Sequence, residues 1–279
     1  MGFFLTIQQI SMKNDYGTSF LWEISSSKVS YKSFLLGTMH VRDERAYAYW
    51  NEARSAIAEC EVVALETDIE KLKQSFNNKL ILLPDGKKLE DYYKPAHYAK
   101  ISKYFERITG KPIAAYKHMH PMFAEGFLSA AIMEKQRPLA LDEALFMYAT
   151  SLGKSITGIE PFEHHIGVFK KLTPEIAAPN LYKAVKNIKL FRKKLNHMAD
   201  LYAMGAMKRL NKTLLRQSGT LRQVMIYDRN IIMANEIERL VNTNSTFCAV
   251  GAGHLSGSKG ILRLLKNMGF QLKPVPCHA

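Results

Sequence analysis

Apolar residues along this chain fall into short unbroken runs that stop at a polar or acidic residue, and these runs alternate with longer stretches of helical spacing. Residues 18–25 (TSFLWEIS) and 31–37 (YKSFLLG) predict two strands joined by a polar Ser-Ser-Ser-Lys turn, a β-hairpin. The second run leads directly into Thr38-Met39-His40. Residues 45–60 carry Trp50, Ala53, Ile57 and Ala58 at the spacing of one buried helical face. EVVALETD predicts a short buried strand over 62–65 that ends in Glu66 and Asp68. From 70 to 150 helical stretches alternate with turns: Pro84-Asp85-Gly86 reads as a turn, Leu89 opens a helix, and another starts at Pro121. A brief apolar run then reaches Asp142, and an amphipathic helix follows, stopped by Gly153. SITGIEP repeats the pattern of strand, Glu160, Pro161 and helix. Residues 173–243 are mostly helical in pattern, with 221–240 a strong amphipathic stretch. The end reads as a βαβ-like unit: TFCAVGAGH, then SGSKGILRLLKNMG closed by Gly269, then FQLKPV.

Strands alternating with helices predict an α/β fold. Its central sheet is mostly parallel, with the N-terminal hairpin as an antiparallel addition and helices on both faces. With no repeat and no long Pro/Gly/Ser linker, the expected organisation is one domain over 18–279 preceded by an extension over 1–17. A helical insertion lies at about 70–135, and a helical region at about 173–243. Composition agrees: 47% apolar and 23% charged residues describe a globular chain. No stretch approaches the roughly 18 to 20 apolar residues of a membrane span. The opening MGFFLTIQQISMKNDYG lacks the basic and long apolar regions of a signal peptide. Both a cytoplasmic chain and an exported one that has lost its leader fit this reading. Cys60, Cys248 and Cys277 form neither a disulfide framework nor a Cys-x-x-Cys zinc pair.

Charge changes the picture only slightly. The balance is +14, from 39 Lys plus Arg against 25 Asp plus Glu, which can attract nucleic acid, anionic membranes or acidic substrates. Its densest run, at 183–197, carries Val185, Ile188, Leu190, Phe191 and Leu195 at helical spacing and reads as a solvated amphipathic helix. No finger, RNP-like or Gly-rich phosphate motif accompanies it, so a specific nucleic-acid partner is not expected.

The candidate chemistry lies where the apolar runs end, at His40, Glu66, Asp142, Glu160 and His254. In open α/β sheets ligands bind beyond the carboxyl ends of the strands. If these ends are neighbours, two imidazoles and two or three carboxylates converge. That set suits a metal, water activation at a metal, or metal-free acid/base catalysis. Each histidine closes a Gly-x-x-His element; Gly37, Gly251 and Gly253 would let the backbone turn sharply or approach a ligand closely. Structural roles compete for several of these residues. Glu66 and Glu160 suit helix N-termini, and Asp142 suits an N-cap. His164 and His165 point about 100° apart on a helix, which argues against joint chelation. His118 and His120 read as structural.

Taken together, these segments resemble the TraB/PrgY/GumN family, to which the animal Tiki metalloproteases are related. The resemblance rests on FLLGTMHVRDE (34–44), VVALETD (62–68), LLPDGKKLEDY (82–92), ALDEALFMYATSLGKSITGIEP (140–161), YDRNIIMANEIERL (227–240) and FCAVGAGHLSGSKGILRLLKNMGFQLKPV (247–275). It implies an erythromycin-esterase/ChaN-like α/β fold with a helical insertion. It also implies a hydrolase, a metal-dependent protease acting on a peptide or protein. A divalent metal, Mn or Co with Zn as an alternative, would be held by His40, Glu66 and His254. Arg229 and Asn230 match the family's Arg-Asn helix motif, and Glu160 its second strand-end glutamate. On this reading Glu160 serves as base or orienter, and Arg229 stabilises developing negative charge. Two alternatives stay open: a metal-free His/Glu esterase-type hydrolase, and a non-catalytic binder of a peptide signal.

Overall fold

The computed structural model describes residues 19–68, 81–84, 86–133 and 135–276, with the backbone alone at 217, 218 and 220. The expected N-terminal extension, the first part of the expected insertion, Asp85 of the predicted turn and Cys277 lie outside the described residues.

The hairpin forms as its pattern predicts. β1 (Leu21–Ser25) pairs antiparallel with β2 (Ser33–Thr38), Leu21 opposite Leu36. Four further strands complete one sheet: β3 (Val62–Leu65), β4 (Ser155–Gly158), β5 (Thr246–Gly251) and β6 (Gln271–Val275). The order is β4-β3-β5-β2-β1-β6. β4, β3, β5 and β2 are mutually parallel, and β1 runs antiparallel to both β2 and β6. β5 and β6 therefore run the same way but two strands apart, so the C-terminal βαβ-like unit crosses over the hairpin instead of pairing with itself.

β2 is buried throughout and β5 at all but its last residue. A strand buried on both sides needs a layer on each face, which is why these segments read as continuous apolar runs and not as alternation. α1 (Trp50–Glu59) packs on β2 and β5 and against α4 (Leu141–Ser151), which reaches β3 and β4. α9 (Asp228–Val241) and α10 (Ile261–Asn267) pack on each other and on β5 and β6 respectively. The largest fully buried side chains, among them Trp22, Tyr49, Tyr202 and Phe247, belong to this sheet-centred core.

The remaining helices are α2 (Pro95–Thr109), α3 (Pro121–Ile132), α5 (Phe162–Lys171), α6 (Pro174–Lys186), α7 (Ile188–Ala203) and α8 (Met207–Ser218). α2, α3 and α6 bury Ile101, Phe105, Leu128, Leu181 and Val185 in a second apolar cluster beside the sheet core. Among the described residues no helix is long and apolar enough to cross a membrane.

Three sequence expectations change. The run before Asp142 is no strand: α4 starts at Leu141 with Ala140 as N-cap, and Asp142 lies in its first turn. The 221–240 stretch is not one helix, because a π-helical turn at Gln223–Tyr227 precedes α9. The basic run breaks at Asn187 (φ −127°, ψ 54°) into the end of α6 and the start of α7, with its lysines and arginines exposed.

Candidate active site at the strand ends

Parallel pairing puts the carboxyl ends of β2, β3, β4 and β5 on one rim. Thr38 lies opposite Gly251, and Leu65 opposite both Ala249 and Gly158. Pairing continues one step past β3 and β4: Ile159 N–H donates to Leu65 O and Glu160 N–H to Glu66 O. The two glutamates are thereby set side by side.

Between them lies Arg229, from the first turn of α9 and only 6% exposed. Its Nη2 donates to Glu66 Oε1 at 2.5 Å and to Glu160 Oε2 at 2.7 Å, and its Nε donates to Glu160 Oε1 at 2.9 Å. The π-helical turn inserts one residue per turn just ahead of α9, and Met225, Ile226 and Arg229 all line the cavity below. Glu160 also takes His164 Nδ1 at 2.8 Å on one oxygen and His165 Nδ1 at 2.6 Å on the other. Adjacent histidines that diverge on the helix thus converge on a single carboxylate. Burial opposes ionisation of Glu160, but the His165 and Arg229 hydrogen bonds overcome it and hold its carboxyl well below the usual range.

Glu66, His165 and Glu160 offer ligand atoms within 4.8 Å of one another. Arg229 Nη2 already lies among them, and the short contact to Glu160 marks His165 Nδ1 as a protonated donor. This group is a satisfied charge cluster. Removing a partner from such a buried pair costs about 3–5 kcal/mol, because a charge is left uncompensated.

Glu66 differs from Glu160 in facing the cavity. Its second oxygen accepts the Gly251 N–H at 2.6 Å. Burial pushes its carboxyl up, but His254, Arg229 and that N–H outweigh burial and hold it at about 2. Gly251 has an ordinary φ of −55°, so it provides no left-handed turn. Its role is close approach, since a Cβ there would lie 3.2 Å from Glu66 Oε2 and 3.4 Å from His254 Cδ2.

His254 follows β5 in a short 3-10 turn and is buried. Asn230 Nδ2 donates to Lys259 O at 2.7 Å, which turns Asn230 Oδ1 toward His254 Nδ1 at 2.6 Å. The network assigns the imidazole proton to Nδ1 and leaves the lone pair on Nε2, where Arg229 Nη1 makes only a long 3.4 Å contact. Burial lowers its pKa to about 4, so the ring is neutral at pH 7.

His40 is at the exposed rim. Its Nδ1 is 3.3 Å from Asp142 Oδ2, while Thr38 Oγ1 donates to the other Asp142 oxygen at 2.7 Å. The Asp142 hydrogen bond raises the His40 pKa against the opposing effect of burial. Asp142 is therefore an orienting partner for His40, a role that its place in the first turn of a helix does not advertise. His118 and His120 stand apart: the first approaches Lys87 O, and the second accepts the Met122 N–H as the N-cap of α3. Cys60 and Cys248 are buried free thiols whose pKa values burial raises.

His40, Glu66, Arg229 and His254 line one cavity of about 700 Å³. Its other walls are mostly apolar, with Met122, Ile176, Met198, Leu214 and Met225 among them.

Comparison with known proteins places this geometry in context. A family model described as the TraB/PrgY/gumN family matches residues 20–274. The Danio rerio protein named Metalloprotease TIKI2 is 22% identical over 92% of this chain. The chain spans only 61% of that relative's length. No solved structure matches the chain at a significant level.

Proposed function

The chain belongs to the TraB/PrgY/gumN family, and from that premise we propose that it is a metal-dependent hydrolase that cleaves peptides. The observation that carries this reading is His254: buried, neutral, its Nδ1 proton held by Asn230, and its Nε2 lone pair left beside ionised Glu66 at a cavity. The name of the zebrafish relative supports the metal and the peptide substrate.

The donor types suit a divalent cation. Among the described residues, the ligand atoms that already lie within 4.8 Å of one another belong to Glu66, Glu160 and His165, so His40 would have to close on Glu66 and His254 to complete the set. Metal-bound histidines characteristically give their other ring N–H to an oxygen acceptor, and both rim histidines have one, Asn230 for His254 and Asp142 for His40. His40, Glu66 and His254 are the proposed ligands. Mixed imidazole and carboxylate donors suit manganese or cobalt and admit zinc. When bound, the ion would supply an acidified water and a polarised scissile carbonyl.

The chain's own groups do the rest. Glu160 does not serve as a base, since arginine and two histidines already engage its oxygens; it fixes the guanidinium. Arg229 fixes Glu66 and keeps it ionised. Among the described residues its Nη1 makes only long contacts, 3.5 Å to Met225 O and 3.4 Å to His254. That nitrogen is the donor free to meet negative charge developing on a substrate carbonyl.

Hydrolysis of a peptide mixture before and after chelation, with manganese, cobalt or zinc added back, tests the proposal. Activity lost on chelation and restored by one metal is the expected result. Undiminished activity in chelator would select the metal-free His/Glu mechanism, which the pairing of both glutamates with Arg229 favours. Saturable peptide binding with no cleavage under any metal would select the binding role.

A further inference from the structure

One carboxylate in the cavity has no part in the cluster described above. α3 contributes Met122 and Glu125 to the wall, one turn apart and hence on one face. The packed helix α6 adds Ile176, Ala177 and Asn180. Glu125 thus sits in a mainly apolar surface. Among the described residues no hydrogen bond or ion pair engages its carboxylate, and burial alone acts on its acidity, raising its pKa. The neighbouring Tyr93 hydroxyl is already donated to Ala178 O at 3.1 Å. Glu125 is half-buried, so without a ligand its carboxylate relies on solvent in a mainly apolar recess.

The charge balance of the cavity adds a second observation. The chain carries 39 Lys plus Arg, yet among the described residues no lysine lines this cavity, and the one arginine that does is held by Glu66 and Glu160. Of the charged side chains among the described lining residues, Glu66 and Arg229 pair with each other and Glu125 is left without a counter-charge. An anionic ligand would meet Glu125 there. A cationic one would supply the partner that Glu125 lacks.

We propose that Glu125 is a specificity-determining residue that receives a positively charged amine of the peptide substrate while the chain runs along the apolar wall. The assignment deepens the hydrolase reading and rests on it. Either a free N-terminal ammonium or a lysine side chain meets the requirement. Neither recognition step makes or breaks a bond.

The test uses three matched hexapeptides of apolar sequence: one with a free N-terminus, one N-acetylated with a single lysine, and one N-acetylated with norleucine for that lysine. Binding to the full chain is measured by calorimetry in chelator, and cleavage is measured with metal restored. One of the two cationic peptides should bind about tenfold or more tighter than the neutral one, the scale of a charge-assisted hydrogen bond. Which of the two does so identifies the amine. Glu125→Gln should erase the preference with circular dichroism and metal content unchanged. Should that variant not fold, Glu125→Asp, which keeps the charge on a shorter arm, should retain a weakened preference. Equal binding of all three peptides by the wild type would overturn the proposal, as would a preference that survives in Glu125→Gln. Metal loss in Glu125→Gln would also overturn it, by assigning the carboxylate to the ion. A preference without cleavage would sink the hydrolase reading and leave the Glu125 assignment standing.

Discussion

At His254 a single hydrogen bond decides what the ring can do. Asn230 Oδ1 accepts the Nδ1 proton, and Asn230 is itself held by Lys259 O. Asn230→Ala should therefore lower metal affinity or turnover about 10- to 100-fold, with little change in circular dichroism; full activity would show that the tautomer needs no anchor. The same residue sets a pH dependence in the metal-free protein. Its folded pKa, about 4, lies below the ordinary 6.5. Between those values the unfolded chain takes up a proton that the native state refuses. Stability is thus fully present above pH 6.5 and falls as the pH drops toward 4, by about 3 kcal/mol at most. Glu66 adds a similar loss from its ordinary 4.5 down to about 2. Denaturant titrations in chelator at pH 7 and 4.5 should show the first loss, and His254→Gln should flatten it. Strand-end residues such as Glu66 and His254 are legible in sequence because an apolar run stops there. Asn230 and Arg229 are not, except through the family resemblance, since what they touch lies 24 to 163 residues away in the chain.

Elements deliver these residues through close backbone packing. Gly37 in β2 is the clearest case: a Cβ there would lie 2.5 Å from Leu255 Cδ1 and 3.1 Å from Ala252 Cα. Leu255 and Ala252 flank the turn that carries His254. Gly37→Ala should cost about 1–3 kcal/mol in overpacking, measurable by denaturant unfolding. A neutral result would mean that the β5 loop shifts freely and that the rim is not preorganised. The strands themselves are legible because both faces of the central sheet are covered. Periodicity does not separate a short apolar run from the approach to a helix, so the run before Asp142 groups with the strand ends in sequence but leads straight into α4. Nor does it register the π-helical turn before α9, which preserves an amphipathic pattern while shifting its phase.

Over the whole molecule, the parallel strand ends, the α9 arginine and the helical wall of α3 and α6 enclose one recess in a chain of net charge +14. The mostly parallel sheet and its antiparallel hairpin follow from the order of runs. Strand order does not, because β5 returns from residue 246 to lie between β2 and β3. The basic run is solvated on α6 and α7, as its spacing predicts, and takes no part in the recess. The proposed site holds one divalent ion in this recess through His40, Glu66 and His254. Titration of the chelated full chain with manganese, cobalt and zinc, alongside His40→Ala and His254→Ala, tests it most directly. One ion per wild-type chain is the expected result, with binding and peptide hydrolysis lost together in both folded variants. Stoichiometric binding that survives both substitutions would contradict it and place the ion elsewhere.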